Sequence, residues 1–146
     1  MKLSKIFFFI ILLFFSFGCS SGTVKISGRA TFQGQPIEKG KISFDSTDGS
    51  VQGVSGDILN GDFDLTLKQV NEKVPMVVRV WGFKNTGKKV KAPAGAPGIT
   101  QENELLDEIQ MYIPAEHNNS SKKIVEIEPG KNNVFDIELK SAIKGR

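Results

Sequence analysis

The chain has 146 residues, 39% of them hydrophobic, with a formal net charge of +3, one cysteine and one histidine. One cysteine excludes an internal disulfide framework, and a single histidine beside it excludes an ordinary zinc cluster. Without the first 18 residues, 17 basic residues face 16 acidic ones, a balance of +1, which gives no ground for a nucleic-acid surface.

The first element is an address. Met1 to Lys5 carries two lysines, and Ile6 to Phe15 is an unbroken apolar run of ten. A basic start, an apolar stretch and a small residue before the cut describe an export signal over residues 1–18. The stretch is shorter than the ~20 residues a membrane span needs. Cys19 follows Gly18 directly and precedes Ser20, Ser21 and Gly22. That arrangement resembles a bacterial lipoprotein signal, in which the cysteine receives acyl chains such as palmitate and becomes the first mature residue. Residues 19–23 are then a short tether. The other reading is a plain secretory signal with an incidental cysteine, although a free thiol is unusual in an exported protein.

Residues 24–141 read as one all-β domain, because apolar and polar residues alternate and no stretch shows a helical period. Val24, Ile26, Gly28, Ala30 and Phe32 share one face of the first strand. A turn is expected at Gly34-Gln35-Pro36, and Ile42 and Phe44 point inward on the next strand. Asp57-Ile58-Leu59, Asn60-Gly61 and Asp62 to Leu67 form a hairpin, since both turn positions tolerate positive φ. Met76 to Phe83 is the most apolar strand and is expected to be central. Ile109 to Ile113, Ile124 to Ile127 and Val134 to Leu139 complete seven or eight strands, the pattern of an antiparallel sandwich or barrel.

One segment breaks the rhythm. Lys84 to Asp107 has little strand character and is expected to be a long loop, which is usually functional or mobile. It begins with Lys84, Lys88, Lys89 and Lys91, passes through the Gly/Pro/Ala stretch Ala92 to Gly98, and turns acidic at Glu102, Glu104, Asp107 and Glu108. Residues 142–146 are a frayed tail.

The run Ile26-Ser27-Gly28-Arg29-Ala30-Thr31-Phe32-Gln33-Gly34-Gln35-Pro36-Ile37, followed by Gly40-Lys41-Ile42-Ser43-Phe44, resembles the opening of a carboxypeptidase regulatory-like domain. Asn60-Gly61-Asp62-Phe63 is similar to the hairpin that follows in that family. Ile113 to Asn118, with Asn132-Asn133-Val134-Phe135, resembles the C-terminal part of small planctomycete lipoproteins carrying the domain. The resemblance implies a single antiparallel β-sandwich of about seven strands, prealbumin/transthyretin-like in an Ig-like arrangement. Its motifs are structural and name no reaction.

Catalytic chemistry finds little support, and the expectation is a non-enzyme without cofactor or metal. His117 lies in turn composition, where a satisfied or solvated loop histidine is expected rather than half of a nucleophile–base pair. Asp45, Asp48, Asp57, Asp62 and Asp64 are oxygen donors suited to calcium, but their spacing fits turn-forming acids better. Trp81 and Phe83 share a face with Arg79. They read either as an aromatic platform for a sugar ring or, as two aromatics at period two suggest, as core packing. Lys84, Lys88, Lys89 and Lys91 are candidates for acidic glycans or anionic headgroups, against a plainly solvated loop. Asn118 and Asn119 open N-x-[ST] sequons that are expected to carry nothing in a bacterial lipoprotein.

The sequence thus points to a lipid-anchored binding or scaffold module of the cell envelope, bound to the membrane through Cys19 and to an unknown envelope protein or glycan. Ser20 stands where well-studied lipoproteins of the inner membrane carry Asp, which favours the outer membrane by analogy. The alternative is a carbohydrate- or peptide-binding module using the 84–107 loop together with Trp81.

Overall fold

In the computed structural model, residues 22–92 and 105–141 are described. The export signal, Cys19 and most of its tether, residues 93–104 and the tail 142–146 lie outside them. The described chain is all-β apart from one 3₁₀ turn at Ala115–His117. Nine strands follow in order: β1 Val24–Phe32, β2 Gln35–Pro36, β3 Lys39–Ser46, β4 Val54–Leu59, β5 Asp62–Leu67, β6 Val74–Lys91, β7 Leu105–Met111, β8 Ile124–Ile127 and β9 Asn133–Leu139.

They form one hydrogen-bonded sheet that curls as a half-barrel, in the order β2-β1-β5-β4-β3-β6-β7. β9 pairs with β1, and β8 pairs with β6. Every pairing is antiparallel except β1 with β9, which is parallel from Ile26↔Asn133 to Phe32↔Leu139. The curl has a simple cause. β4 and β5 share only the pair Leu59↔Asp62 at their turn, so the halves on either side splay and fold towards each other. Residues 128–132 then connect β8 on one half to β9 on the other.

Alternation along the strands fills the space between the halves. Ile26, Ala30, Ile42, Phe44, Ile58, Met76 and Ile127 are fully buried. Phe44 on β3 meets Phe63 on β5 and Phe135 on β9, each with ring centroids 6.1 Å apart. These contacts join the two halves, and burial of such side chains contributes about 1.5–3 kcal/mol each. Gly28 is required where β1 meets β9. Its φ is +150°, and a Cβ there would lie 1.9 Å from the carbonyl oxygen of Phe135.

The turns follow their chemistry. Asn60 and Gly61 take φ of 53° and 90°, as the expected hairpin demands. That turn docks on the body through Asn60 N–H to Glu38 O and Gly61 N–H to Ile37 O, both 2.9 Å. The first turn sits one residue earlier than expected, at Gln33-Gly34 (φ 51° and 79°). Gln35 and Pro36 pair back onto Phe32 and Thr31 instead.

The largest departure is β6. The expected strand ends at Phe83, but β6 runs 18 residues from Val74 to Lys91. Both described ends of the 84–107 segment are therefore strand rather than loop: Lys84 to Lys91 belong to β6 and Leu105 to Asp107 to β7, and the two strands pair. The backbone hydrogen bonds of a strand depend little on side chains, so a polar, lysine-rich stretch extends wherever a partner strand is in reach.

Candidate functional site

β6 has two environments. From Met76 to Gly82 it pairs with β3, and Val74 to Val77 pair with β8. Between those contacts the 112–123 segment is pinned along it. Val78 N–H donates to Lys123 O at 2.8 Å, Tyr112 N–H to Gly82 O at 3.1 Å, and the Ser121 hydroxyl to Val78 O at 2.6 Å. Beyond Gly82 the strand β3 stops. From Phe83 to Lys91, β7 is the strand partner of β6, and β6 the strand partner of β7. The two strands project from the body as a β-ribbon.

The ribbon's faces follow from its register. Phe83↔Met111, Asn85↔Ile109, Lys89↔Asp107 and Lys91↔Leu105 are opposed pairs, with an irregularity between Asn85 and Lys89. Because β7 alternates, Leu105, Asp107, Ile109 and Met111 share one face, together with Phe83. Trp81 and Arg79 continue that face down β6 onto the body. Leu105 (57% exposed), Ile109 (59%) and Met111 (49%) stand in solvent on it, and Val90 is exposed on the opposite face. Four of the seven large hydrophobic side chains exposed among the described residues thus belong to the ribbon. An apolar row of this kind, rimmed by charge, marks an interaction surface.

Trp81 and Phe83 correct the core expectation. The side of β6 that faces the core is Val74, Met76, Val78, Val80 and Gly82, whereas Trp81 and Phe83 are half-buried on the outer side. Trp81 lies opposite Lys41 on β3. The signal was present in the sequence, since Arg79 shares their face and its guanidinium sits there on the Asp45 carboxylate.

The lysines divide. Lys89 pairs with Asp107 at 2.6 Å, and this bond holds the Asp107 carboxyl below its ordinary value. With the described acids, Lys84, Lys88 and Lys91 form no ion pair. Lys89 and Lys91 lie on the same face as the apolar row, and Lys84 lies on the other. Trp81 and the four lysines therefore do not converge into one pocket. Thr86 and Glu108 close the ribbon's other face through a 2.5 Å hydrogen bond from the threonine hydroxyl.

The remaining candidates are occupied by structural work. His117 Nε2 donates to Lys140 O at 2.7 Å. Asn118 is fully buried, and its amide donates to Ile113 O and Pro114 O while its oxygen accepts from Asn119 N–H. The acids of the β4–β5 hairpin each reach a base on the neighbouring strand: Asp57 lies opposite Lys41 and Asp62 opposite Arg29, while Asp64 pairs diagonally with Lys25. Asp48 takes hydrogen bonds from the Ser46 hydroxyl and from Ser50, which lower its pKa to about 2. Among the described residues, no three such groups converge on a metal-sized space.

No family model matches the chain, and neither the curated proteins nor the solved structures contain a match to it.

Proposed function

We propose that this protein is an exported, lipid-anchored, non-enzymatic module of the cell envelope whose working surface is the outer face of the β6–β7 ribbon. The observation that carries the reading is the apolar row Phe83, Met111, Ile109, Leu105 on a ribbon that adds nothing to the core. A two-stranded ribbon is marginally stable by itself, and exposed apolar side chains on it are costly unless something covers them. The curled sheet is, in this reading, a transthyretin-like sandwich. Its halves meet at the Phe44, Phe63 and Phe135 cluster, and the splay of β4 from β5 forms the corner between them. The Gly-rich opening and the Asn60-Gly61 hairpin fit the carboxypeptidase regulatory-like pattern in the same way.

The anchor is Cys19, with membrane binding through acyl chains that contribute ~0.8 kcal/mol per buried CH₂. By analogy with bacterial lipoproteins, Ser20 directs the protein to the outer membrane. Cys19→Ala is expected to lose acyl labelling and leave the membrane fraction. A variant that keeps its label and stays membrane-bound would end this part of the reading. The ribbon is tested by chemical cross-linking on intact cells, where wild type gives a discrete adduct and Ile109→Glu loses it.

A carbohydrate-binding role is the second reading, favoured by the half-exposed Trp81 beside Lys41 on the outer face. Under it, Trp81 fluorescence shifts on titration with an envelope polysaccharide, and Trp81→Ala abolishes retention on that polymer.

A further inference from the structure

The β4–β5 hairpin is closed at its turn and open below it. Leu59↔Asp62 is the one pair the two strands share. The phase of the neighbouring ladders fixes what is left over. Asn60 N–H donates to Glu38 O, and Ala30 N–H donates to Gly61 O. By alternation, Val54, Gly56 and Ile58 turn their backbone groups to β3, and Phe63, Leu65 and Leu67 turn theirs to β1. Ser55 and Asp57 therefore point their N–H and C=O groups towards β5, while Asp64 and Thr66 point theirs towards β4. No pairing among the described residues joins them. Two free strand edges thus face each other across the corner of the sheet.

Between the edges is a space. Leu65 lies against Gly56, where an added Cβ would meet the leucine side chain at 2.2 Å. Farther from the turn opens a cleft of about 620 Å³, bounded by Gln52, Gly53 and Val54 on one side and by Thr66, Leu67 and Lys68 on the other. That is the size of an ordinary ligand site. Its floor is apolar, with Leu67 buried and Val54 packed half-buried on the core. At its mouth the exposed Lys68 forms no ion pair with the described acids.

We infer that this cleft takes a single extended polypeptide segment of a partner protein, added as a strand to the free edge of β4. Three features choose that occupant. Backbone groups in strand phase are best met by those of another strand. β5 stands beside the edge, so the edge of a folded sheet, a second copy's included, cannot enter, whereas a lone chain can. β4 also has the longer free run, since past β5 the chain turns at Gln69 (φ 64°) and Val70 is tied back to Gly22. Antiparallel pairing is the stronger arrangement, and it sends the segment from the hairpin towards the mouth. Alternate side chains then drop onto Val54 and Leu67, which suits Val or Ile. The residue that reaches the mouth meets Lys68, which selects an acid. The free run from Gly53 to Asp57 spans roughly 17 Å, so the contact is short and reversible. It lies apart from the ribbon and stands whether or not the chain is anchored.

The test is an NMR titration of the full chain, purified in detergent, with the acetylated and amidated peptide Thr-Val-Thr-Val-Thr-Glu. The Ser55 and Asp57 amides are expected to shift and to exchange with solvent about tenfold more slowly. Gly56 and Ile58, already bonded to β3, change little. In strand addition the Thr nitrogens of the peptide face β4, so methylating them abolishes binding, and methylating the Val nitrogens does not. Ser55→Pro removes one cleft-facing N–H without touching the β3 ladder and is expected to lower affinity about tenfold at unchanged Tm. Should that variant misfold, Lys68→Glu reads the same site: it weakens the Glu-ended peptide and favours a Lys-ended one. Shifts confined to Asp64 and Thr66 would put the strand on β5, and millimolar peptide that moves neither edge would leave the cleft without this role. Either result overturns the proposal, as does equal binding of the two methylated peptides. Ile109→Glu on the ribbon leaves the titration unchanged, so failure here and failure of the ribbon's role are read apart.

Discussion

The lower and upper halves of β6 are one continuous strand in two different situations. From Val74 to Gly82 it has neighbours on both sides, and Val74, Met76, Val78 and Val80 are all within 2% of complete burial. From Phe83 to Lys91 it keeps β7 alone, and nearly every side chain is in solvent. The backbone does the same thing in both halves, so the difference comes from where the neighbouring strands stop. β3 ends its pairing at Gly82, and from that point the strand leaves the fold and becomes a surface.

The sharpest way to break this distinction is to truncate one side chain in each region. Phe44→Ala is expected to cost about 3–5 kcal/mol, since it opens a cavity between the two halves of the sheet. Ile109→Ala on the ribbon is expected to change stability by less than about 0.5 kcal/mol. Urea denaturation of both variants decides, and similar losses would mean the ribbon is part of the folded core.

Glycines offer a second contrast. Gly28→Ala forces a Cβ onto the Phe135 carbonyl oxygen and is expected to cost roughly 2–3 kcal/mol through strain and a broken β1–β9 pairing. Gly87, with φ of +78°, has nothing within 4 Å of its missing Cβ. Gly87→Ala therefore carries only the penalty of its dihedral, about 1 kcal/mol, and that falls on the ribbon. Thermal unfolding followed by circular dichroism separates the two.

Hydrogen exchange sharpens the comparison without mutation. The Val78 and Val80 amides should exchange only through global opening, whereas Lys88 and Val90 should exchange by local opening and be faster by orders of magnitude. Equal protection would put the ribbon inside the cooperative unit.

The smallest effect is expected at Asp48. Its folded pKa, about 2 against an ordinary 3.8, is depressed by bonds from Ser46 and Ser50. A depressed carboxylate stabilises the fold above its unfolded pKa, and that contribution fades as the pH falls from about 3.8 towards 2. Asp48→Asn should flatten stability against pH in that window and leave the ribbon's exchange untouched. A midpoint near 3.8 by NMR titration would contradict the assignment.

What the sequence revealed, and what it hid, divides along the same strand. Alternation placed Ile26, Ile42, Phe44, Phe63, Leu65 and Leu67 inward, because one face of each of these strands is polar. The Asn60-Gly61 hairpin was legible from the dihedrals that pair alone favours. On β6 both faces of the apolar run are hydrophobic, so alternation does not choose between them, and of the two readings for Trp81 and Phe83 the core packing that period two favours is the one the structure overturns. Arg79 was the residue that distinguished the faces. The ribbon was hidden for another reason: Lys84 to Lys91 has no apolar period, and its strand character comes from the partner β7. The parallel pairing of β9 with β1 and the pinning of 112–123 on β6 through the Ser121 hydroxyl depend on long-range contacts that local patterns do not encode. For the candidate site, the lysines were found, but the apolar row Leu105, Ile109, Met111 became visible only when register put those residues on the face of Phe83.

The central claim is that the ribbon makes the contact and the body makes the fold. The most direct measurement removes one and reads both. Joining Phe83 to Met111 through an Asn-Gly turn excises the ribbon while keeping β6 paired with β3 and β8. The account predicts a protein that unfolds within about 1 kcal/mol of wild type, stays in the membrane fraction and no longer cross-links on intact cells. A shortened chain that fails to fold, or one that cross-links as before, would contradict it.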